Sequence, residues 1–416
     1  MVEAQCTTVV ECNAQGKAAY DNKEYDDAYT YYEFSARQGD KTAQLEIGIL
    51  IYYKLLTVNI NYEEAFNWFN IAYKSGQDDA GIFLASLYQS GYGVPQDYAI
   101  ALKIYNALAA KNNSFAFDGL GYTYLNGLGV EADFSIAFAH YKKAAEAGLP
   151  NSQVALATLY KNGIGTTQNY AAALTWLTKA ADAGDTIAMN TLGDMYGAGD
   201  GVVKNMDTAL FWHEKSARRG DGAGMLGVAM YYFTGTEDIA PDYAKTVEWI
   251  NKSVAANCYT GLSLMGYMYQ TATGVAKNDD IALQCYKKGA DNNNGRCMYD
   301  LGLMYYLGNG ATQNNALALE WFQKAADNND SNGMYALGLM FYNGHGVEAS
   351  AEKALIWYKK AAEGGISEAM FNLGYQYEFG IGTKSDENLA IDWYKKAARQ
   401  GFIQAQETLT DMGKTW

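Results

Sequence analysis

Apolar and small residues recur along this chain with helical spacing, in two segments within each stretch of about 36 residues. In residues 366–401, Met370, Leu373, Gly374 and Tyr377 lie on one side of a helix. The second segment repeats this spacing at Ala390, Trp393, Tyr394, Ala397 and Ala398. The pattern predicts two amphipathic helices joined by a loop that is centred on two glycines.

The same pair of helices is repeated along the chain. Seven of the eight tryptophans are separated by 36 or 37 residues or by multiples of such steps: Trp68, Trp176, Trp212, Trp249, Trp321, Trp357 and Trp393. Each follows by three residues a small residue, which also recurs where tryptophan is absent, at Ala28, Ala101, Ala137 and Ala282. Such a period indicates a repeat architecture of eleven units that share one core. We expect the tryptophan and the next residue to fill the space between units.

Both helix ends have a repeated backbone signal. Eleven residues after each small anchor residue stands a glycine or an asparagine: Gly39, Gly76, Asn112, Gly148, Gly184, Gly220, Asn257, Asn293, Asn329, Gly365 and Gly401. These two residue types best tolerate the left-handed conformation that ends many helices. A Gly-x-Gly loop follows the first helix of most units. Phosphate binding is the functional alternative for that loop, but it joins two helices and no Gly-Lys-Ser/Thr follows, so we interpret it as a turn.

Two segments contain almost the whole pattern LGxxYxxGxGVxxDxxxAxxWYxKAAxxG, namely Leu337–Gly365 and Leu373–Gly401. The chain thereby resembles the Sel1-like repeat family, a 36-residue variant of the tetratricopeptide repeat. The resemblance implies an all-α fold, a right-handed superhelical solenoid of about eleven helix pairs. We expect one domain over residues 1–416. Its parts are a tetratricopeptide-like capping unit at 1–40, Sel1-like repeats at 41–401 and a capping helix at 402–416.

Composition and charge limit the function classes. The formal net charge of −15 argues against nucleic acid and anionic membranes as partners, since both require clustered lysines and arginines. Lysine pairs such as Lys359-Lys360 lie in the last turn of second helices, where cations favour the helix dipole. No apolar run approaches the roughly 18 residues of a membrane span, so we expect no direct membrane insertion.

Few residues offer catalytic or metal-binding chemistry. Of the three histidines, His140 and His213 occupy aromatic positions of the repeat, and His345 lies in a Gly-x-Gly loop, where we expect it to be exposed. None has a ligand partner at metal-binding spacing, so we assign no catalytic residue, metal or cofactor. An enzyme, such as a hydrolase, is the disfavoured alternative.

Five cysteines are placed irregularly with respect to the repeat, which argues against a disulfide in each unit. Cys6 and Cys12 are able to pair in an oxidising compartment, and the sequence leaves this open. The compartment is open as well: cytoplasmic if Met1 is the true start, periplasmic or secreted if a signal peptide has been removed. We expect a monomer.

The resemblance implies a non-catalytic scaffold or adaptor that binds a protein or peptide in a concave groove lined by the first helices. An immunity- or inhibitor-type protein that wraps one enzyme is the alternative. Counted from the glycine that recurs in the first helix, such as Gly374, groove positions are −6, −3, +1, +4 and +5. The candidate binding residues are Asp118, Tyr122, Asn190, Asp194, Tyr267, Arg296, Tyr299, Tyr306, Tyr335, Tyr342, Glu368, Phe371, Tyr375 and Glu378. Tyrosine suits recognition because it gives large contact area at low entropic cost; the alternative is that some of these rings stack on one another and only stiffen the groove.

Overall fold

The computed structural model describes residues 6–57 and 61–416, and within these residues it contains 23 helices and no strand. The first eleven helices are α1 (Val9–Asp21), α2 (Tyr25–Arg37), α3 (Lys41–Tyr52), α4 (Tyr62–Lys74), α5 (Asp78–Ser90), α6 (Tyr98–Ala109), α7 (Ser114–Asn126), α8 (Phe134–Glu146), α9 (Pro150–Asn162), α10 (Tyr170–Asp182) and α11 (Thr186–Ala198). The other twelve are α12 (Met206–Ala217), α13 (Gly222–Thr234), α14 (Tyr243–Ala255), α15 (Gly261–Thr271), α16 (Asp279–Asp291), α17 (Gly295–Leu307), α18 (Asn315–Asp327), α19 (Ser331–Asn343), α20 (Ala351–Glu363), α21 (Ser367–Phe379), α22 (Glu387–Arg399) and α23 (Ile403–Asp411). The predicted all-α solenoid of helix pairs is confirmed.

The chain divides into two compact units, Met1–Lys204 and Asn205–Trp416. Within each unit every helix packs against its neighbours in the chain, as in α9 with α10 and α10 with α11, or α19 with α20 and α20 with α21. Odd-numbered helices also contact each other across repeats, as α5 does with α7 and α17 with α19. The odd-numbered helices therefore form one layer within each unit. The single domain over residues 1–416 stays a prediction.

The predicted left-handed residues after the second helices are confirmed at all eleven positions. Their φ angles lie between 60° for three of the asparagines and 98° for Gly184. Asparagine accepts this conformation because its short polar side chain interacts locally with the backbone. Each second helix thus stops at the same point of the repeat, which fixes where the next first helix begins.

The Gly-x-Gly loops make contacts between repeats. The first glycine ends the first helix in the left-handed conformation, as Gly380 does at φ 66°. The second glycine lies against the start of the preceding repeat's second helix. A Cβ on Gly382 would stand 2.4 Å from the carbonyl carbon of Ala351, and one on Gly346 would stand 2.6 Å from the carbonyl oxygen of Asn315. Glycine is therefore required at this position by a close approach of two backbones.

The residue that follows the tryptophan position fills the core. Tyr358 is 2% exposed, and its ring lies against Gly338 of the paired first helix, where a Cβ would approach Tyr358 Cδ1 to 2.4 Å. The preceding Trp357 is only half-buried and packs on a cluster formed by α18 and α19, which includes Phe322 and Leu337. Both rings thus pack between repeats, as expected, but they are not buried to the same depth.

The two ends of the chain differ from the regular repeat. Only residues 22–24 join α1 to α2, so the first unit lacks the glycine loop, and Cys6 and Cys12 form a disulfide. At the other end α23 buries Ala405 and Leu409 and exposes polar residues such as Glu407. Amide Nε2 of Gln406 on α23 donates to the carbonyl oxygen of Ala398 at 2.9 Å, which fastens the helix to the last repeat.

Candidate partner-binding groove

All fourteen predicted groove residues lie on odd-numbered helices, and their side chains differ in exposure. Seven are exposed: Tyr122, Asp194, Tyr267, Arg296, Tyr342, Glu368 and Tyr375. Seven are half-buried: Asp118, Asn190, Tyr299, Tyr306, Tyr335, Phe371 and Glu378. The exposed members are available to a partner, whereas the half-buried members also contact neighbouring elements of the same unit.

Side-chain hydrogen bonds join neighbouring odd-numbered helices. In the first unit Gln89 Nε2 donates to Thr123 Oγ1 at 3.1 Å, and the hydroxyl of Ser152 donates to Asp118. In the second unit the hydroxyl of Ser263 donates to Asp300. Burial is the main cause that raises the pKa of Asp118 and of Asp300 above the ordinary aspartate value, and the serine hydrogen bonds oppose that shift. The layer of first helices is thus cross-linked by buried polar contacts.

Three candidate tyrosines lie against rings of the second helices: the ring of Tyr342 lies 6.5 Å from that of Tyr358, and those of Tyr299 and Tyr335 lie closer to their partners. The ring of Tyr299 lies 5.8 Å from that of Phe322, and that of Tyr335 lies 5.9 Å from that of Tyr358. The Tyr335 hydroxyl accepts a hydrogen bond from Asn372 Nδ2 at 3.4 Å. Burial raises the pKa of the Tyr299 and Tyr335 phenols above the ordinary tyrosine value. At these two positions the contacts are those that the stiffening alternative describes.

The histidines contribute to packing in the described part of the chain. His140 stacks on Tyr124 with the rings 5.9 Å apart, and burial lowers its pKa below the ordinary value. His345 is half-buried rather than exposed, because its Nδ1 lies 2.9 Å from the hydroxyl of the predicted groove residue Tyr306. The expected exposure of His345 is therefore wrong. Among the described residues, no group of three or more histidine, cysteine or acidic side chains is placed to hold a metal ion.

One pocket brings three of the predicted residues together. Its volume is about 360 Å³ and it lies between α19, α20 and α21. The lining residues are Leu339, Tyr342, Asn343, Tyr358, Phe371, Asn372, Tyr375 and Gln376. The buried Tyr358 closes its inner side, whereas Tyr342 and Tyr375 are partly open to solvent. This pocket is a concave feature of the candidate groove that three predicted residues share.

The sequence analysis missed the amides of this pocket, although one of them had a signal. Gln376 occupies position +2 from the recurring glycine, and the structure buries it to 1% exposure. Most other repeats fill this position with an apolar residue, such as Leu159, Met195, Met268, Met304 or Met340, and one fills it with Thr123. An amide at a mostly apolar position is informative once the repeats are aligned. Asn343 and Asn372 gave no such signal.

Charge is distributed unequally between the two kinds of helix. The nine odd-numbered helices from α5 to α21 carry seven acidic side chains and only two cationic ones, Lys161 and Arg296. Lys161 Nζ lies 2.7 Å from Asp200 Oδ2, and Arg296 Nε lies 3.2 Å from Asp300 Oδ1. Both cations of these first helices are thus paired with an acid.

The second helices place lysines over their tryptophans. A lysine three residues after the tryptophan stacks its ammonium over the indole in six repeats, at 3.6–4.6 Å from the ring centroid: Lys179, Lys215, Lys252, Lys324, Lys360 and Lys396. These lysines thus do more than offset the helix dipole, because each also covers an indole.

A family model for the Sel1 repeat matches eleven segments of the chain: residues 15–40, 42–77, 79–113, 119–149, 150–185, 186–221, 222–258, 261–294, 295–330, 331–366 and 367–402. The chain belongs to the Sel1 repeat family. Proteins built from Sel1 repeats are generally non-enzymatic scaffolds for protein interactions. The described residues contain no helix that is long and apolar enough to span a membrane.

Known relatives share this repeat to different extents. The chain is 29% identical, with a TM-score of 0.54, to c5321, a protective antigen of uropathogenic Escherichia coli with an SLR fold; the match covers 93% of this chain and 91% of that one. A Sel1 repeat protein from Oxalobacter formigenes is 26% identical with a TM-score of 0.50, over 80% and 94% of the two chains. An uncharacterized Sel1-like repeat-containing protein from Schizosaccharomyces pombe is 32% identical over 89 residues, 21% of this chain and only 13% of its own length.

Proposed function

We propose that this protein is a non-catalytic scaffold that binds a protein partner along its first helices. The observation that carries the proposal is the pocket between α19 and α21, where Tyr342, Phe371 and Tyr375 meet at positions that the repeat does not require to be aromatic. Tyr375 is 40% exposed, so its ring contributes little to the core of the chain. Exposed aromatic side chains in a concave site are typical anchors of protein interfaces.

The acidic character of the first helices supports a protein partner rather than a nucleic acid. The first helices from α5 to α21 present tyrosines and carboxylates, and their two cations are already paired. A phosphate backbone requires unpaired lysines and arginines for binding. On the second helices six lysines cover indoles, as Lys324 and Lys360 do. We propose no nucleic-acid partner, and we propose a monomeric chain.

An affinity capture with matched variants tests this function. The wild-type protein, the groove variant Tyr267→Ala/Tyr375→Ala and the second-helix variant Phe211→Ala are immobilised and exposed to a lysate of the encoding organism. Phe211 is a suitable control because it is an exposed aromatic, 55% accessible, on the even-numbered helix α12. We expect a protein that wild type and the Phe211 variant retain in equal amounts and that the groove variant loses. Retention of every captured protein by the groove variant would exclude the groove.

The captured partner also decides between the two roles that the sequence suggested. A partner enzyme whose activity falls when the protein binds would narrow the role to the immunity or inhibitor type. A partner that keeps its activity and brings further proteins into the complex would indicate an adaptor. Gel filtration of the purified chain, followed by the chain with the captured partner, measures the stoichiometry of both.

A further inference from the structure

The pocket between α19 and α21 is built from aromatic rings around uncharged polar groups. Four of its eight lining residues are aromatic: Tyr342, Tyr358, Phe371 and Tyr375. Tyr375 lies against Phe379, with ring centroids 4.7 Å apart, which extends the aromatic surface beyond the pocket. The faces of such rings carry negative electrostatic potential and attract cations. No lining residue carries a charge of its own.

The amides of the pocket are arranged as hydrogen-bond acceptors. Asn343 Nδ2 donates to the carbonyl oxygen of Leu339 at 3.0 Å, and Asn372 Nδ2 donates to the hydroxyl of Tyr335 at 3.4 Å. Gln376 Nε2 donates to the carbonyl oxygen of Ala351 at 3.2 Å. Each amide nitrogen thus uses one of its two N–H groups within the protein, and the amide carbonyl oxygens are able to accept hydrogen bonds from a ligand. A ligand rich in N–H donors matches this lining.

Gln376 gives an independent indication of a missing donor. Its side chain is 1% exposed, and among the described residues its Oε1 accepts no hydrogen bond. A buried carbonyl without a partner is costly, and the repeat offers a ready alternative in the methionine of Met268, Met304 and Met340 at the same position. Because Oε1 is itself buried, a ligand can donate to it only if the Gln376 side chain turns toward the pocket that it lines.

The two first helices beside the pocket carry only acidic charges. Helices α19 and α21 together carry two glutamates, Glu368 and Glu378, and no lysine or arginine, whereas α20 carries three lysines, of which Lys353 and Lys360 lie over the rings of Phe341 and Trp357. Both glutamates are themselves predicted groove residues on α21. Glu378 Oε2 accepts a hydrogen bond from the Tyr394 hydroxyl at 2.7 Å and keeps its second oxygen for other contacts. A positively charged segment is therefore complementary to this surface.

We propose that this pocket binds an arginine side chain from a basic segment of the protein partner, which refines and rests on the proposed function. A guanidinium is planar, stacks on aromatic faces and presents five N–H donors. A guanidinium therefore stacks on the aromatic rings and donates hydrogen bonds to the amide oxygens at the same time. Lysine offers a more strongly hydrated ammonium without a planar face, so it is the weaker ligand.

Two pools of fluorescein-labelled nonapeptides test the proposal on the full chain. Both are randomised at eight positions, and the central residue is arginine in one pool and citrulline, its neutral isostere, in the other. Fluorescence anisotropy measures the binding of each pool to the wild-type protein. We expect the arginine pool to bind on the order of tenfold more tightly, the scale of a partly desolvated cation–π contact.

Three variants connect that preference to the pocket. Gln376→Met installs the residue that other repeats carry, so we expect a folded protein with a reduced preference for arginine. Tyr375→Ala should abolish the preference, and Tyr375→Phe should retain most of it because the ring is kept. Phe211→Ala is the matched control, since Phe211 is an exposed aromatic residue on the even-numbered helix α12, outside the candidate groove. It should leave the preference unchanged.

The result separates this proposal from the proposed function. Equal binding of the two pools to the wild-type protein, or an arginine preference that persists in Tyr375→Ala, overturns the arginine pocket. In that case a groove-dependent capture of a partner would still uphold the scaffold. If captured proteins are insensitive to the groove variant, the scaffold function fails, whatever the peptides do. Circular dichroism melts of each variant show that lost preference is not lost folding.

Discussion

The first and second helices of the repeat use aromatic residues in different ways. On the second helices a half-buried tryptophan is followed by a buried ring and covered by a lysine, as in Trp357, Tyr358 and Lys360. On the first helices tyrosines such as Tyr267 and Tyr375 are exposed beside acids and amides. The repeat dictates the former set, because each member packs between repeats. The latter set is free to vary, and differences in function between Sel1 repeat chains are expected there.

The largest effect should come from the buried ring of the second helix. Tyr358→Ala removes a ring that is 2% exposed and packed on Gly338, and should lower the free energy of unfolding by about 3–5 kcal/mol. Urea denaturation followed by circular dichroism measures it. A loss below that of the neighbouring tryptophan would show that the order of burial described here is wrong.

Truncation of the tryptophan itself should cost less. Trp357→Ala leaves the buried neighbour in place and exposes part of the α18–α19 cluster, so we expect a loss of about 2 kcal/mol. The same urea titration reports it. Tryptophan fluorescence of the remaining indoles provides a control, because those in distant repeats should keep their emission maxima if the change stays local.

A buried acid of the first helices should make stability depend on pH. Asp300 has a pKa raised mainly by burial, so the folded chain binds more protons than the unfolded chain between the ordinary and the raised pKa. The free energy of unfolding therefore falls as pH rises through that window and stays reduced above it. Asp300→Asn should remove this pH dependence of the free energy of unfolding. At pH 7 the variant should be at least as stable as wild type, because Arg296 is exposed and its ion pair with Asp300 contributes little to stability.

Urea titrations of Asp300→Asn and the wild-type protein between pH 3 and 8 check the sign. The stability difference should shrink as the wild-type carboxyl becomes protonated at low pH. A variant that loses stability only above pH 5 would instead show that the carboxylate is favoured by its partners Ser263 and Arg296.

The smallest effect concerns the lysines over the indoles. Lys360 Nζ lies 4.3 Å from the centroid of the Trp357 ring, and Lys360→Ala should cost roughly 0.5 kcal/mol. Lys359→Ala is the matched control, since its neighbouring lysine makes the indole contact. Equal urea midpoints for the two variants would show that the cation over the indole contributes nothing.

Much of this fold could be predicted because the same residue types recur at the same positions in many repeats. The glycines and asparagines after the second helices, such as Asn329, predicted a left-handed residue at each helix end, and the structure confirms it. How deeply Trp357 and Tyr358 are buried could not be predicted from the sequence. Both positions recur with the same period and differ only in which neighbouring helix they face.

The sequence predicted on which helices the candidate groove residues lie, but it did not predict what their side chains contact. Counting from the recurring glycine places Tyr299 and Tyr375 on first helices, yet Tyr299 stacks on Phe322, a ring 23 residues further along the chain. Side-chain direction depends on such partners, which the period does not encode. Gln376 was visible in the sequence as an amide at a position that most repeats fill with an apolar residue, but only the structure shows that its side chain is buried. The binding role of all these residues stays a prediction.

Trp176, Trp321 and Trp357 each pack back onto the junction between the first helix of the same repeat and the preceding second helix, as Trp357 does on α18 and α19. This direction has a consequence during translation. Since the ribosome releases the chain from its N-terminus, the tryptophan that covers such a junction is synthesised only after both helices of the junction, as part of the next helix. A stalled nascent chain is thus left with one uncovered apolar seam at its growing end, which is the place where chaperones would be needed.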